Sequence, residues 1–139
     1  MGTCLTRMVG FRARHRYYRP DWNEARNREV FGFLAEPGGH EHDYQCAVTV
    51  RGPMNDSGMI LDLGLLDQIL GEEVLLPFAG KYLNADVPAF VSGKPLPTCE
   101  AIAEYVFGRI AARLPAGLVL ERVRIMEDPT IYADCTGLA

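Results

Sequence analysis

Period-two alternation marks the two ends of the chain, and helical spacing marks its middle. Residues 4–14 are extended in character and lead straight into His15. After a polar, aromatic stretch, Asp21 is a plausible cap for a short helix reaching about Val30. The turn cluster Glu36-Pro37-Gly38-Gly39 then opens a strand over His40–Gly52. On that strand His40, His42, Tyr44 and Cys46 share one face, and Glu41, Asp43 and Gln45 the other. Beyond the turn Asn55-Asp56-Ser57-Gly58, Asp62 caps a helix with Leu65, Leu66, Ile69 and Leu70 as its apolar stripe, closed by Pro77. A proline-rich loop follows. Thr98 caps a second helix, with Ile102, Tyr105, Val106 and Ile110 at helical spacing, ended by Leu114-Pro115. Gly117–Glu127 reads as a strand with Val119, Val123, Ile125 and Glu127 on one face. Asp128-Pro129 turns it into a returning strand over 130–136.

The order ββααββ predicts an α+β domain, an antiparallel sheet with both helices on one face. The other sheet face then needs cover, which predicts a homo-oligomer. Residues 1–139 contain no internal repeat and no linker long enough to divide them.

Composition narrows the partners. A chain of 139 residues can build one hydrophobic core without staples. Its net charge of −4 speaks against nucleic acid. Seven arginines precede residue 30, enough to line an anion pocket or to form a solvated, ion-paired face. Cys4, Cys46, Cys99 and Cys135 are scattered without a CxxC pair, which predicts reduced thiols in a cytoplasmic protein. No apolar run is long enough to span a bilayer, and no membrane partner is expected. Met1–Thr6 fits a loose myristoylation pattern, but a strand starting at Leu5 has to enter the core.

The candidate chemistry lies in the only three histidines, His15, His40 and His42. Side chains at i and i+2 of a strand point the same way, so His40 and His42 can converge on one point. A third imidazole from another strand would complete the ligand set of a catalytic zinc, with one coordination position open. An HxH pair is, taken alone, equally compatible with two solvated histidines.

Six segments in order resemble the 6-pyruvoyl-tetrahydropterin synthase and 6-carboxytetrahydropterin synthase family. They are Phe11-x-Ala13-x-His15-Arg16, Phe31-Gly32 with Pro37-x-Gly39-His40-x-His42-x-Tyr44, Gly58-Met59-Ile60-x-Asp62-Leu63, Leu83-Asn84-x-Asp86-Val87-Pro88, Pro97-Thr98-x-Glu100, and Met126-Glu127. The resemblance implies a tunnelling fold (T-fold) whose subunits assemble into a barrel, as a hexamer or tetramer with interface active sites. It implies a Zn2+ site on His15, His40 and His42, and a pterin-like substrate anchored by Glu127. A carboxylate can accept two parallel hydrogen bonds from a pterin's amino group and ring N–H. Thr98 and Glu100, at a helix start, are further substrate-binding candidates, although capping alone accounts for Thr98.

The same resemblance exposes three departures. The family's catalytic cysteine falls on Leu34, and its paired aspartate and histidine fall on Ala79 and Gly80. None of the three can transfer a proton. Glu36, two residues after the lost cysteine, is the leading substitute base, against the plainer reading of a loop carboxylate in solvent. Glu41 points to the wrong face, Cys46 sits too deep, and nothing ranks Tyr17, Tyr18 and Lys81. The expected function is a zinc-dependent lyase or cyclase with altered chemistry on a pterin or related molecule. The alternatives are a non-catalytic pterin- or purine-binding protein and a retained synthase with a substitute base.

Overall fold

A computed structural model describes residues 2–137, and their architecture is the α+β sheet-and-helix arrangement that the alternation predicts. β1 (Thr3–His15) and β2 (His40–Gly52) pair antiparallel over their whole length, from Thr3 opposite Gly52 to His15 opposite His40. β3 (Val119–Asp128) lies on the other side of β2, and β4 (Ile131–Cys135) lies beyond β3. The helices are α1 (Glu24–Phe31), α2 (Leu63–Leu70), α3 (Leu76–Phe78), α4 (Leu83–Asp86) and α5 (Cys99–Ala111).

Alternation sorts the sheet into two unlike faces. Phe11, Tyr44, Cys46, Val48, Val123 and Ile125 turn one way and join a buried core with Leu66, Ile69 and Leu70 of α2 and Ile102, Val106 and Ile110 of α5. Each such side chain contributes about 1.5–3 kcal/mol on burial. The opposite face is polar. Arg12 pairs there with Glu41 and Asp43, and Arg124 with Asp134.

Several local expectations need correction. The α1 cap is Asn23, whose side chain accepts from the Arg26 N–H, while Asp21 is taken by Arg19 and Lys94. The chain passes from α2 through a π turn (Gly71–Leu75) directly into α3, and the helical run ends at Phe78, one residue after Pro77. Val119 does not share the face of Val123. Thr49 faces Arg122 but Val50 faces Leu120, so Glu121 is an extra residue that reverses the alternation. Leu120 is buried in consequence, and Val119 is 43% exposed.

The free edge of β1 is partly covered near its end. Gly80 donates to the Arg12 carbonyl at 2.7 Å, Arg14 donates to the Lys81 carbonyl at 2.9 Å, and Tyr82 bridges Arg14. The segment Gly80–Tyr82 is therefore fastened along the end of β1 that leads to His15.

Candidate metal centre

The long β1–β2 ladder decides the site, because it sets His15 opposite His40 while His42 follows two residues along the same face. The three rings meet nearly edge to face, with centroids 4.6 Å apart for His15–His40, 5.0 Å for His15–His42 and 4.9 Å for His40–His42. One ligand atom from each, with one from Glu127, lies within 4.8 Å of all the others.

Alternation sets Glu127 on the face of Ile125, which pairs with Cys46 on the histidine face of β2, and a second irregularity falls at the same residue. Met126 faces Tyr132 but Asp128 faces Ile131, which makes Glu127 the extra residue of a bulge on β3. The carboxylate reaches the imidazoles, with Oε2 2.9 Å from His42 Nε2 and 3.4 Å from His15 Nε2.

The protonation pattern suits metal binding. The Pro97 carbonyl can only accept, so its 2.8 Å contact with His15 Nδ1 fixes the proton on that nitrogen. Tyr44 Oη lies 3.0 Å from the same atom and packs the ring from behind. Nε2 of His15 is left bare and facing the cluster. Nε2 of both His15 and His42 is buried without a directed hydrogen bond, since the approach of Glu127 to His42 lacks that geometry despite its length. Burial, followed by the neighbouring histidines, pushes the His15 pKa down to about 4; burial and then His42 lower that of His40. Neutral imidazoles with orphaned nitrogens converging beside a carboxylate fit a divalent metal.

This pattern makes the metal-free protein sensitive to acid. Between about pH 6.5 and about pH 4 the unfolded chain binds a proton that buried His15 refuses. Stability therefore falls as pH falls through that window, by at most about 3 kcal/mol from this group. Burial raises the Glu127 pKa, an opposing contribution that shrinks the net loss. The urea midpoint of metal-free protein should drop between about pH 7.5 and about pH 5. An unchanged or rising midpoint would contradict the burial of His15 as a neutral group.

The other predicted residues are distributed unevenly. Thr98 caps α5, its hydroxyl accepting from the Ala101 N–H, and Glu100 follows on the exposed side with a raising influence on Glu127. Glu36 stands outside the histidine cluster, exposed and 3.4 Å from Arg28. Leu34 occupies a 3-10 turn (Gly32–Ala35) and accepts the Tyr17 N–H on its carbonyl. Tyr17 is a near neighbour, its ring 5.1 Å from that of His15. Tyr18 instead stacks under Arg16, and Glu41 is held by Arg12 on the far face. Cys46 is core, its thiol pushed up to about 12 by burial. Cys99 was invisible to spacing arguments. It is buried at the start of α5 within the influence of Glu127, and burial followed by that charge pushes its thiol up to about 12. Such a group stays a thiol at neutral pH and is no replacement for a catalytic thiolate.

Known proteins resemble this chain in sequence and in fold. The 6-pyruvoyl tetrahydropterin synthase family model matches residues 4–137. The chain belongs to that family. The 6-pyruvoyl tetrahydrobiopterin synthase of Poecilia reticulata is 36% identical over 124 residues, which span 88% of this chain and 82% of that protein. The Homo sapiens enzyme of the same name is 33% identical over 124 residues, 88% of this chain and 83% of its own. The solved 6-pyruvoyl tetrahydropterin synthase of Caenorhabditis elegans superposes with a TM-score of 0.88 at 28% identity, covering 99% of this chain and 97% of that one. The Plasmodium vivax synthase shares the fold, with a TM-score of 0.64 at 12% identity and 97% of each chain covered; it was solved with a catalytic glutamate replaced by cysteine.

Proposed function

We propose that this protein is a zinc-dependent lyase acting on a pterin or close relative, its chemistry altered from that of the synthases at the proton-transfer step. The observation that carries this reading is the convergence of His15, His40, His42 and Glu127 on one point; the resemblance adds that Leu34, Ala79 and Gly80 fall at the family's proton-transfer positions. Three imidazoles favour zinc among the common divalent ions. When bound, zinc supplies a Lewis acid that polarises a substrate oxygen or acidifies a hydroxyl.

The residues of the chain supply the rest. Glu127 accepts the amino and ring N–H groups of the pterin, which fixes the ring relative to the histidines. Thr98 and Glu100, at the start of α5, are assigned to the same substrate, since the charge of Glu100 acts on Glu127. Glu36 is the proposed base. Its carbonyl accepts from the Gly39 N–H at 3.1 Å, so it opens the turn that delivers His40. Among the described residues its side chain is engaged by a long, exposed ion pair with Arg28, which a substrate can displace at little cost. A glutamate is named as the catalytic residue of the P. vivax protein, so a carboxylate in this role has a precedent within the fold. Assembly of subunits through the polar sheet face into a homo-oligomer completes the proposal, with sites at subunit boundaries.

Glu36→Gln should lower kcat by about 10²–10⁴ while leaving metal stoichiometry and pterin affinity in place. Full turnover in that variant would remove Glu36 from the mechanism. The three losses also support a second reading, a zinc-containing pterin-binding protein without turnover.

A further inference from the structure

We propose that Glu127 is a shared ligand, closing the coordination shell of the metal on His15, His40 and His42 and leaving that shell when it takes up the pterin ring. The inference rests on the pterin reading above and adds a competition to it: metal and pterin draw on one carboxylate.

Both close approaches of Glu127 involve a single oxygen, Oε2, at 2.9 Å from His42 Nε2 and 3.4 Å from His15 Nε2. The Glu127 side chain is only 11% exposed, and among the described residues its only ionic contacts are these two histidines. Alternation sets Glu127 on the face of Val123 and Ile125, which pair with Val48 and Cys46 on the histidine face of β2. His15 Nε2 and His42 Nε2, both buried without directed hydrogen bonds, face the same oxygen. An anionic oxygen among three neutral imidazole nitrogens is a complete four-donor set, with the mixed chemistry divalent metals accept.

The conflict follows from charge and not from a count of lone pairs, since each carboxylate oxygen carries two. Anchoring the amino and ring N–H groups of a pterin in parallel uses both carboxylate oxygens as anionic acceptors. An Oε2 held by the metal has given up charge to the cation and is the weaker acceptor, so that pair does not form at full strength while Oε2 stays there. Pterin binding therefore withdraws Glu127 from the metal and frees a coordination position at the moment a substrate arrives, while the resting site stays closed.

The test uses full-length protein in metal-free and cobalt(II)-loaded forms, with unsubstituted pterin as the probe. This compound has no side chain with which to reach the metal. Its dissociation constant should be about tenfold weaker for the cobalt form than for the metal-free form, and cobalt affinity should fall by the same factor in saturating pterin. The visible cobalt bands should shift on pterin saturation. In Glu127→Gln the shift should disappear, and the bands should already differ from those of the wild type. Saturable pterin binding that leaves the cobalt bands unmoved would overturn the shared-ligand proposal and leave the pterin reading standing. So would a Glu127→Gln spectrum identical to the wild type. Failure of pterin to saturate either form would instead overturn the pterin reading, and the competition with it.

Discussion

His40→Ala should abolish stoichiometric metal binding and reduce turnover to background. Loss of an outer partner of a metal ligand already weakens affinity about 10–100-fold, and loss of the ligand itself should exceed the upper figure. His40 is the best of the three for this test. His15 is fully buried between Tyr44 and the Pro97 carbonyl, so its removal would leave a cavity and an orphaned acceptor. His40 is partly exposed and pairs at the end of the β1–β2 ladder, so alanine there should leave the fold intact. Equilibrium dialysis with metal analysis, run beside a urea melt, separates the two effects. Full metal occupancy in a folded His40→Ala protein would remove it from the ligand set.

Gly39→Ala should destabilise the protein by about 2–4 kcal/mol and weaken metal binding with it. Gly39 has φ of 68°, a left-handed conformation that costs an L-residue about 1–2 kcal/mol. A Cβ there would also collide with the backbone carbonyl of His15. That carbonyl cannot give way, because His15 is locked into the ladder opposite His40. The turn must move instead, and His40 is the next residue. Gly38→Ala is the matched control: its φ is 87°, but nothing lies within 4 Å of the added methyl. Urea unfolding of the metal-free proteins should place Gly39→Ala well below Gly38→Ala. Equal midpoints would show that the close approach to His15 is not what requires glycine.

How much of this was legible in the sequence depended on whether the signal was local. The extent of β2, His40–Gly52, followed from turn chemistry and alternation, and the caps Asp62 and Thr98 from their side-chain oxygens ahead of apolar stripes. Asn23 was missed because Asp21 looked equally suitable, and only the packing of Arg19 and Lys94 around Asp21 decides between them. The bulges at Glu121 and Glu127 leave no local trace. Each depends on the register chosen by a partner strand, so Val119 falls on the other face, while Glu127 keeps the face of Ile125 that alternation gives it. The Pro97 carbonyl and the Tyr44 hydroxyl were hidden for the same reason, lying 82 and 29 residues from His15 in sequence. Only proximity in sequence points to Glu36, and the fold leaves it outside the cluster, at the start of the turn into β2.

The central claim is metal-dependent chemistry on a pterin. Its most direct test is mass spectrometry of dihydroneopterin triphosphate incubated with zinc-loaded protein, beside a chelated control. The account predicts a new pterin product that forms with zinc and is absent without it. Intact substrate recovered from both samples, with zinc bound and the protein folded, would contradict it.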